Sequence, residues 1–157
     1  MRLGIISDTH GQLRPEATAA LVGSDLILHA GDIGDPAILV ELAKLAPVRA
    51  VRGNNDRGAW ARRIPETLLI EAGPHRVYIL HDIAELDADP ARAGWAAVVT
   101  GHSHKPRNDV VDGVLYFNPG SAGPRRFRLP IAVGRIDLTD GEVRGTVIRL
   151  DGSGDGT

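Results

Sequence analysis

The chain alternates short apolar runs with longer stretches in which apolar residues recur every three or four positions. In the first third the short runs cover residues 3–7, 25–30 and 48–51, and segments opening at Pro15 and Pro36 separate them. Proline suits the first turn of a helix, because the amide it lacks would find no partner there. The pattern predicts βαβαβ, with parallel strands buried on both faces. Beyond Arg63 the spacing changes. TLLIEAGPHRVYILH, residues 67–81, reads as two strands joined at Ala72-Gly73-Pro74, and WAAVVTG, residues 95–101, reads as another buried strand. Asp112-Gly113 and Asp140-Gly141 each lie between strand-like runs. Asp-Gly supplies the positive φ angles of tight hairpins, so both pairs predict one. Residues 1–150 are expected to form a single domain. DGSGDGT, residues 151–157, has no apolar residue and is expected to be a disordered tail.

Composition narrows the chemistry. A length of 157 residues fits one domain with a proper core. With 18 Lys+Arg against 20 Asp+Glu, and 4% aromatics, the chain lacks both the basic footprint and the stacking platform of a general nucleic-acid binder. There are no cysteines. Thiolate metal sites and a cysteine nucleophile are thereby excluded, and any metal sits on nitrogen and oxygen. Asp8 interrupts the first apolar run too early for a signal-peptide core, and no run reaches membrane-spanning length. A cytoplasmic protein with no membrane association is expected.

Candidate chemistry collects where the strand-like runs stop. The first ends at Asp8-Thr9-His10-Gly11, the second at Gly31-Asp32 and the third at Gly53-Asn54-Asn55-Asp56. Later runs lead into His81 and into Gly101-His102-Ser103-His104. Ligands of open α/β sheets bind outside the carboxyl ends of the strands, so these clusters should converge. Asp8, His10, Asp32, Asn54, His81, His102 and His104 are all nitrogen or oxygen donors. Seven exceed one tetrahedral ion and suit two ions that share a carboxylate. Asp32, with two oxygens and alone on its turn, is the natural bridge. His29 should point away from the site, into the core or behind a ligand, and His75 should lie at a surface turn. Asn118-Pro119-Gly120-Ser121 reads as a pocket floor or a plain turn. Arg125-Arg126-Phe127-Arg128 reads as a phosphate contact or a solvated surface, and the same two readings apply to Arg57, Arg62 and Arg63.

In order, these motifs resemble the five metal motifs of the calcineurin-like metallophosphoesterases. The likeness is closer to their small single-domain bacterial and archaeal phosphodiesterases, which share the Asn-Pro-Gly-Ser segment at residues 118–121. It spans residues 2–138. It implies an α/β fold, a four-layer αββα sandwich of two mixed sheets flanked by helices. It implies two divalent ions, manganese first and iron, zinc, nickel or cobalt as alternatives. Asp8, His10, Asp32 and His104 would hold one ion; Asp32, Asn54, His81 and His102 would hold the other. A hydroxide bridging the ions would then attack a small phosphodiester. In the wider family a histidine near the leaving group stands at the position of Asn55, and an amide cannot act as a general acid. Asn55 and Asp56 are the candidates for catalytic roles in that loop, and Asn55, Arg125 and Arg126 the candidates for substrate contact. Diesters with good leaving groups are expected. Two other readings use the same site: a scaffold like the similar subunit of the eukaryotic retromer complex, and a phosphomonoesterase or protein phosphatase. Oligomeric state is left open, a homo-oligomer among the options.

Overall fold

The computed structural model describes residues 1–151. Its first half is β1 (Arg2–Ile6), α1 (Pro15–Leu21), β2 (Leu26–His29), α2 (Ala37–Ala43), β3 (Val48–Ala50) and α3 (Ala59–Arg62). The second half is β4 (Thr67–Ala72), β5 (His75–Leu80), α4 (Pro90–Ala93), β6 (Ala97–Val99), β7 (Arg107–Val111), β8 (Val114–Asn118), β9 (Ala132–Leu138) and β10 (Val143–Arg149). Two five-stranded sheets result, ordered β10-β9-β1-β2-β3 and β4-β5-β6-β8-β7. Both are mixed. β1, β2 and β3 run parallel in the first, and β5, β6 and β8 in the second.

The α/β sandwich follows from the alternation of side chains along each strand. Leu3 and Ile5 point inward with Leu28 and Ala30, and meet Val77, Ile79, Val99, Leu115 and Phe117 of the facing sheet. The other face of the first sheet carries Ile6, Ile27 and Val133, which pack on Ala17 and Leu21 of α1 and on Ile38 and Leu42 of α2. Burying one such Leu or Ile stabilises the fold by about 1.5–3 kcal/mol. The outer face of the second sheet has a thinner cover. There Val98 and Leu80 pack beneath Tyr78, Trp95 and Leu86, with Tyr78 and Trp95 stacked at 4.2 Å between ring centroids. That fourth layer consists of the four-residue α4 and a 3-10 turn at Ile83–Glu85. No helix among the described residues is long and apolar enough to cross a membrane.

Four local expectations are corrected. Pro36 is not inside α2 but caps it, and the Asp35 carboxylate accepts the free N–H of Ala37 at 2.9 Å. β3 is not buried on both faces: it is a sheet edge, and Arg49 is exposed. Asp112-Gly113 does take positive φ, 52° and 79°, yet neither Asp140 nor Gly141 does. Residues 139–142 close instead through the N–H of Thr139 on the carbonyl of Glu142, and a loop of that length needs no left-handed residue. Asp151, assigned above to the tail, is half-buried and accepts a hydrogen bond from Arg125. The rest of that tail, residues 152–157, lies outside the described residues.

Candidate metal centre

The carboxyl ends of the two sets of parallel strands share one rim, and the loops leaving them are stitched together. Asp8 and His10 donate backbone N–H to the carbonyls of Gly31 and Asp32, tying the loop after β1 to the loop after β2. In the other sheet Gly101 donates to the carbonyl of His81. Across the sandwich, His81 Nδ1 lies 2.7 Å from the carbonyl of Ala30, and the Ser121 hydroxyl donates to the carbonyl of Asp8 at 3.0 Å. Asn118 donates to the carbonyl of Gly101 at 2.9 Å and to Ser103 Oγ at 3.2 Å. The Asn-Pro-Gly-Ser segment therefore braces two of the loops that carry candidate ligands.

The backbone at the rim is unusual. Seven non-glycine residues among those described have positive φ, and five of them are Asp8, His10, Asp32, His102 and His104. A left-handed non-glycine residue costs roughly 1–2 kcal/mol, and such residues cluster where function requires an otherwise unfavourable direction. Two glycines let neighbouring loops close on the carboxylates. A Cβ at Gly101 would stand 2.6 Å from Asp8 Oδ2, and one at Gly53 would strike Asp32.

Asp8 is wholly buried. Its Oδ2 accepts from the Ser7 hydroxyl at 2.6 Å and from the N–H of His102 at 3.0 Å. Its Oδ1 is buried without any hydrogen-bond partner. Around that oxygen stand His104 Nε2 at 3.4 Å, His10 Nε2 at 3.7 Å and His81 Nε2 at 3.9 Å. Asp32 Oδ2 lies 3.3 Å from His81 Nε2 and 3.8 Å from His10 Nε2, so it faces residues of both expected ligand sets. His10 and His104 bring their Nε2 atoms to 3.2 Å of each other. Two groups of donors, Asp8-His10-His104 and Asp8-Asp32-His81, are each compact enough to hold a cation. On the outer side, His102 Nδ1 lies 3.1 Å from Asn54 Oδ1.

Electrostatics point the same way. Burial pushes the His81 ring toward neutrality, but Asp32 and Asp8 overcome it and raise the pKa to about 9. Burial also pushes Asp32 upward, and the His81 ring with the Asn55 donors outweighs it, holding the carboxyl well below the usual range. The pocket thus demands positive charge among its carboxylates, which a proton on His81 or a cation can supply. When that proton is lost and Nδ1–H donates to Ala30, the Nε2 lone pair faces two carboxylate oxygens, an arrangement that calls for a cation in the proton's place. An unpartnered buried oxygen ringed by imidazole nitrogens fits a divalent cation, and the nitrogen and oxygen donor set suits several metals.

The other expected residues divide. Asn55 reaches Asp32 twice, through its N–H at 2.8 Å and its side-chain amide at 3.0 Å. Asp56 accepts from the N–H groups of Gly53 and Gly34 at 2.8 and 3.0 Å, tying two loops together. His29 is buried behind the site. Its Nδ1 accepts from the N–H of Gly31, its Nε2 pairs with Thr9 Oγ1, and burial holds its pKa down at about 4. His75 is half-buried at the β4–β5 turn and pairs with the carbonyl of Thr139. Arg125 is engaged by Asp151, whereas Arg126 is exposed. Ser7 and Asp82 were missed by sequence reasoning. The signal for Ser7 was a hydroxyl at a position where an apolar strand side chain is the rule; for Asp82 it was an acid directly after a candidate histidine ligand.

Comparison with known proteins agrees with this geometry. The family model for the calcineurin-like phosphoesterase superfamily domain matches residues 1–141. A "Probable metallophosphoesterase" of Methanothermobacter thermautotrophicus is 37% identical over 150 residues, covering 87% of this chain and 87% of that protein. A structurally and functionally characterised archaeal phosphodiesterase superposes with a TM-score of 0.77 at 26% identity, covering 94% of this chain and 99% of that one. Zinc-complexed Vps29 of Entamoeba histolytica shares the fold, with a TM-score of 0.76 at 22% identity over 98% of this chain and 95% of that one.

Proposed function

The chain belongs to the calcineurin-like phosphoesterase superfamily, and from that premise we propose that it hydrolyses phosphodiesters at a centre of two divalent cations. The observation that carries the reading is Asp8 Oδ1, buried, unpartnered and surrounded by three imidazole nitrogens. Asp8, His10, Asp32 and His104 would hold one ion and Asp32, Asn54, His81 and His102 the other. Such ions, when bound, lower the pKa of water toward neutrality and offset charge on phosphoryl oxygens.

The protein's own groups supply the rest. Ser7 and the His102 N–H hold one Asp8 oxygen, so that the other is turned to the rim. Asn55 grips both oxygens of Asp32 and fixes its plane. Neither Asn55 nor its amide can protonate a leaving group, and a general acid is typically worth about 10²–10⁴-fold. The substrate class is therefore a diester with a good leaving group, such as an aryl ester.

The test is a metal-reconstituted panel of aryl diesters, aryl monoesters and cyclic nucleotides, with Asp32→Ala as the control. Aryl diesters should turn over fastest, and Asp32→Ala should reduce turnover to background. Undiminished turnover in Asp32→Ala removes this reading. Preference for monoesters would mark a phosphomonoesterase, and metal uptake without hydrolysis would mark a scaffold. Asn55→His should speed esters with poor leaving groups most.

A further inference from the structure

His102 is the most exposed imidazole of the centre, with 43% of its side chain open to solvent, and its ring meets the buried His81 ring edge-on at 5.2 Å between centroids. Its two nitrogens have different neighbours. Nδ1 lies 3.1 Å from Asn54 Oδ1, and Nε2 lies 3.6 Å from Asp82 Oδ2, an ion-pair distance a few tenths of an ångström beyond a hydrogen bond. Asp82 itself is anchored. Its other oxygen accepts the N–H of Ala84 at 3.0 Å and caps the 3-10 turn at Ile83–Glu85, so one oxygen is held by backbone while the second is aimed at the ring.

Resting on the two-cation reading above, we propose that Asp82 is a positioning residue for the outer metal site. Its carboxylate fixes His102 in the tautomer that carries the proton on Nε2. The opposite tautomer would set the bare lone pair of Nε2 against an anionic oxygen, which is repulsive. With the proton facing Asp82, the Nδ1 lone pair and the Asn54 carbonyl oxygen are two acceptors 3.1 Å apart. They attract each other only through a shared positive centre, which is the arrangement a cation between them requires. Outer carboxylates of this kind orient imidazole ligands and raise their basicity, and their loss typically weakens metal binding about 10–100-fold. Asp82 directly follows His81, so one loop end supplies a ligand and the group that orients another.

Asp82→Ser separates this role from plain capping, because a serine hydroxyl can still accept the N–H of Ala84. Two-site calorimetric titration with Mn²⁺ should show the weaker ion lost by about 10–100-fold and the tighter one changed by less than about twofold. In the zinc-loaded protein, the Nε2–H proton of His102 should be visible by imidazole ¹⁵N NMR and should be lost or shifted in Asp82→Ser. In a His102→Ala background, Asp82→Ser should have no further effect on affinity. Unchanged affinity for both ions overturns the proposal, as does an equal loss of both together with a lower unfolding midpoint. Uptake of only one ion by the parent protein overturns it too. A protein that binds two ions with this coupling but hydrolyses no ester leaves the role of Asp82 standing and removes the phosphodiesterase reading alone.

Discussion

His102 and His104 sit two residues apart on one loop, both with left-handed backbone, yet their surroundings differ sharply. The side chain of His104 is 3% exposed and that of His102 is 43% exposed. His104 belongs to an inner half with Asp8, His81 and Asp32, packed between the sheets and braced by Ser7, Ser121 and Asn55. His102 and Asn54 form an outer half at the surface. A cleft of about 300 Å³ lined by Arg52, Asn54, His81, Asp82 and Glu85 opens beside it. A closed half holds its groups in fixed positions; an open half leaves them accessible from the cleft. The same loop can serve both because the left-handed backbone at His102 and His104, φ 70° and 61°, breaks the extended geometry that would put residues two apart on one face.

The largest effect should come from testing that contrast directly. His104→Ala removes a buried donor beside an oxygen that has no other partner, and Asp8 Oδ1 also faces His81 of the second group. Metal retention and ester turnover should both fall by more than the roughly 100-fold typical of residues one layer out. His102→Ala should leave the inner group intact and reduce the bound metal from two ions to one after dialysis. Metal content and turnover of the two variants, compared side by side, decide the matter. Equal losses would erase the distinction between the halves, and a greater loss in His102→Ala would invert it.

Much of this centre was legible in the chain because its donors stand at the ends of apolar runs, where period and turn chemistry are strong signals. Asp8, Asp32, His81 and the two histidines after β6 could be placed on one rim before any contact was known. The unequal burial of His102 and His104 was not legible, since it depends on which part of their shared loop the neighbouring loops cover. Nor was Asp82, because an acid after a histidine gains meaning only when a residue twenty positions later is folded against it. Asp140-Gly141 marked the β9–β10 hairpin correctly but not its backbone: the dipeptide permits a tight turn with positive φ, whereas the pairing of Leu138 with Val143 leaves a longer loop that does not use it. The Asp151 contact with Arg125 joins two segments whose compositions gave no hint of each other.

A second test addresses what supports the inner half from behind. His29 accepts the N–H of Gly31 and donates to Thr9, whose hydroxyl donates to the carbonyl of Ile33. That network needs a neutral ring, and burial depresses the pKa from the ordinary 6.5 to about 4. Below pH 6.5 the unfolded chain takes up a proton that the native ring refuses. His29 therefore contributes stability that is fully present above pH 6.5 and lost as pH falls through 4, on the order of 3 kcal/mol in all. His29→Gln should be less stable than the parent at pH 7 but lose less stability between pH 7 and 4.5, measured by urea unfolding of the apoprotein. Parallel pH profiles for the two proteins would show that His29 does not titrate in this way.

The smallest effect is expected on the inner half's side of the rim, in the exposed loop after Gly123, whose backbone abuts the carbonyls of Asp8 and Thr9. Arg125 in that loop is occupied by Asp151, whose side chain is largely buried. Arg126 is exposed beside it and is the guanidinium of the two available to an ester oxygen. If this loop serves the open half, Arg126→Ala should raise KM for an aryl diester a few-fold with kcat unchanged, since it removes binding common to ground and transition states. Arg125→Ala should change either constant less. A fall in kcat for Arg126→Ala would mean that the loop touches the reacting phosphoryl group, and the outer half would then extend across the rim to Gly123.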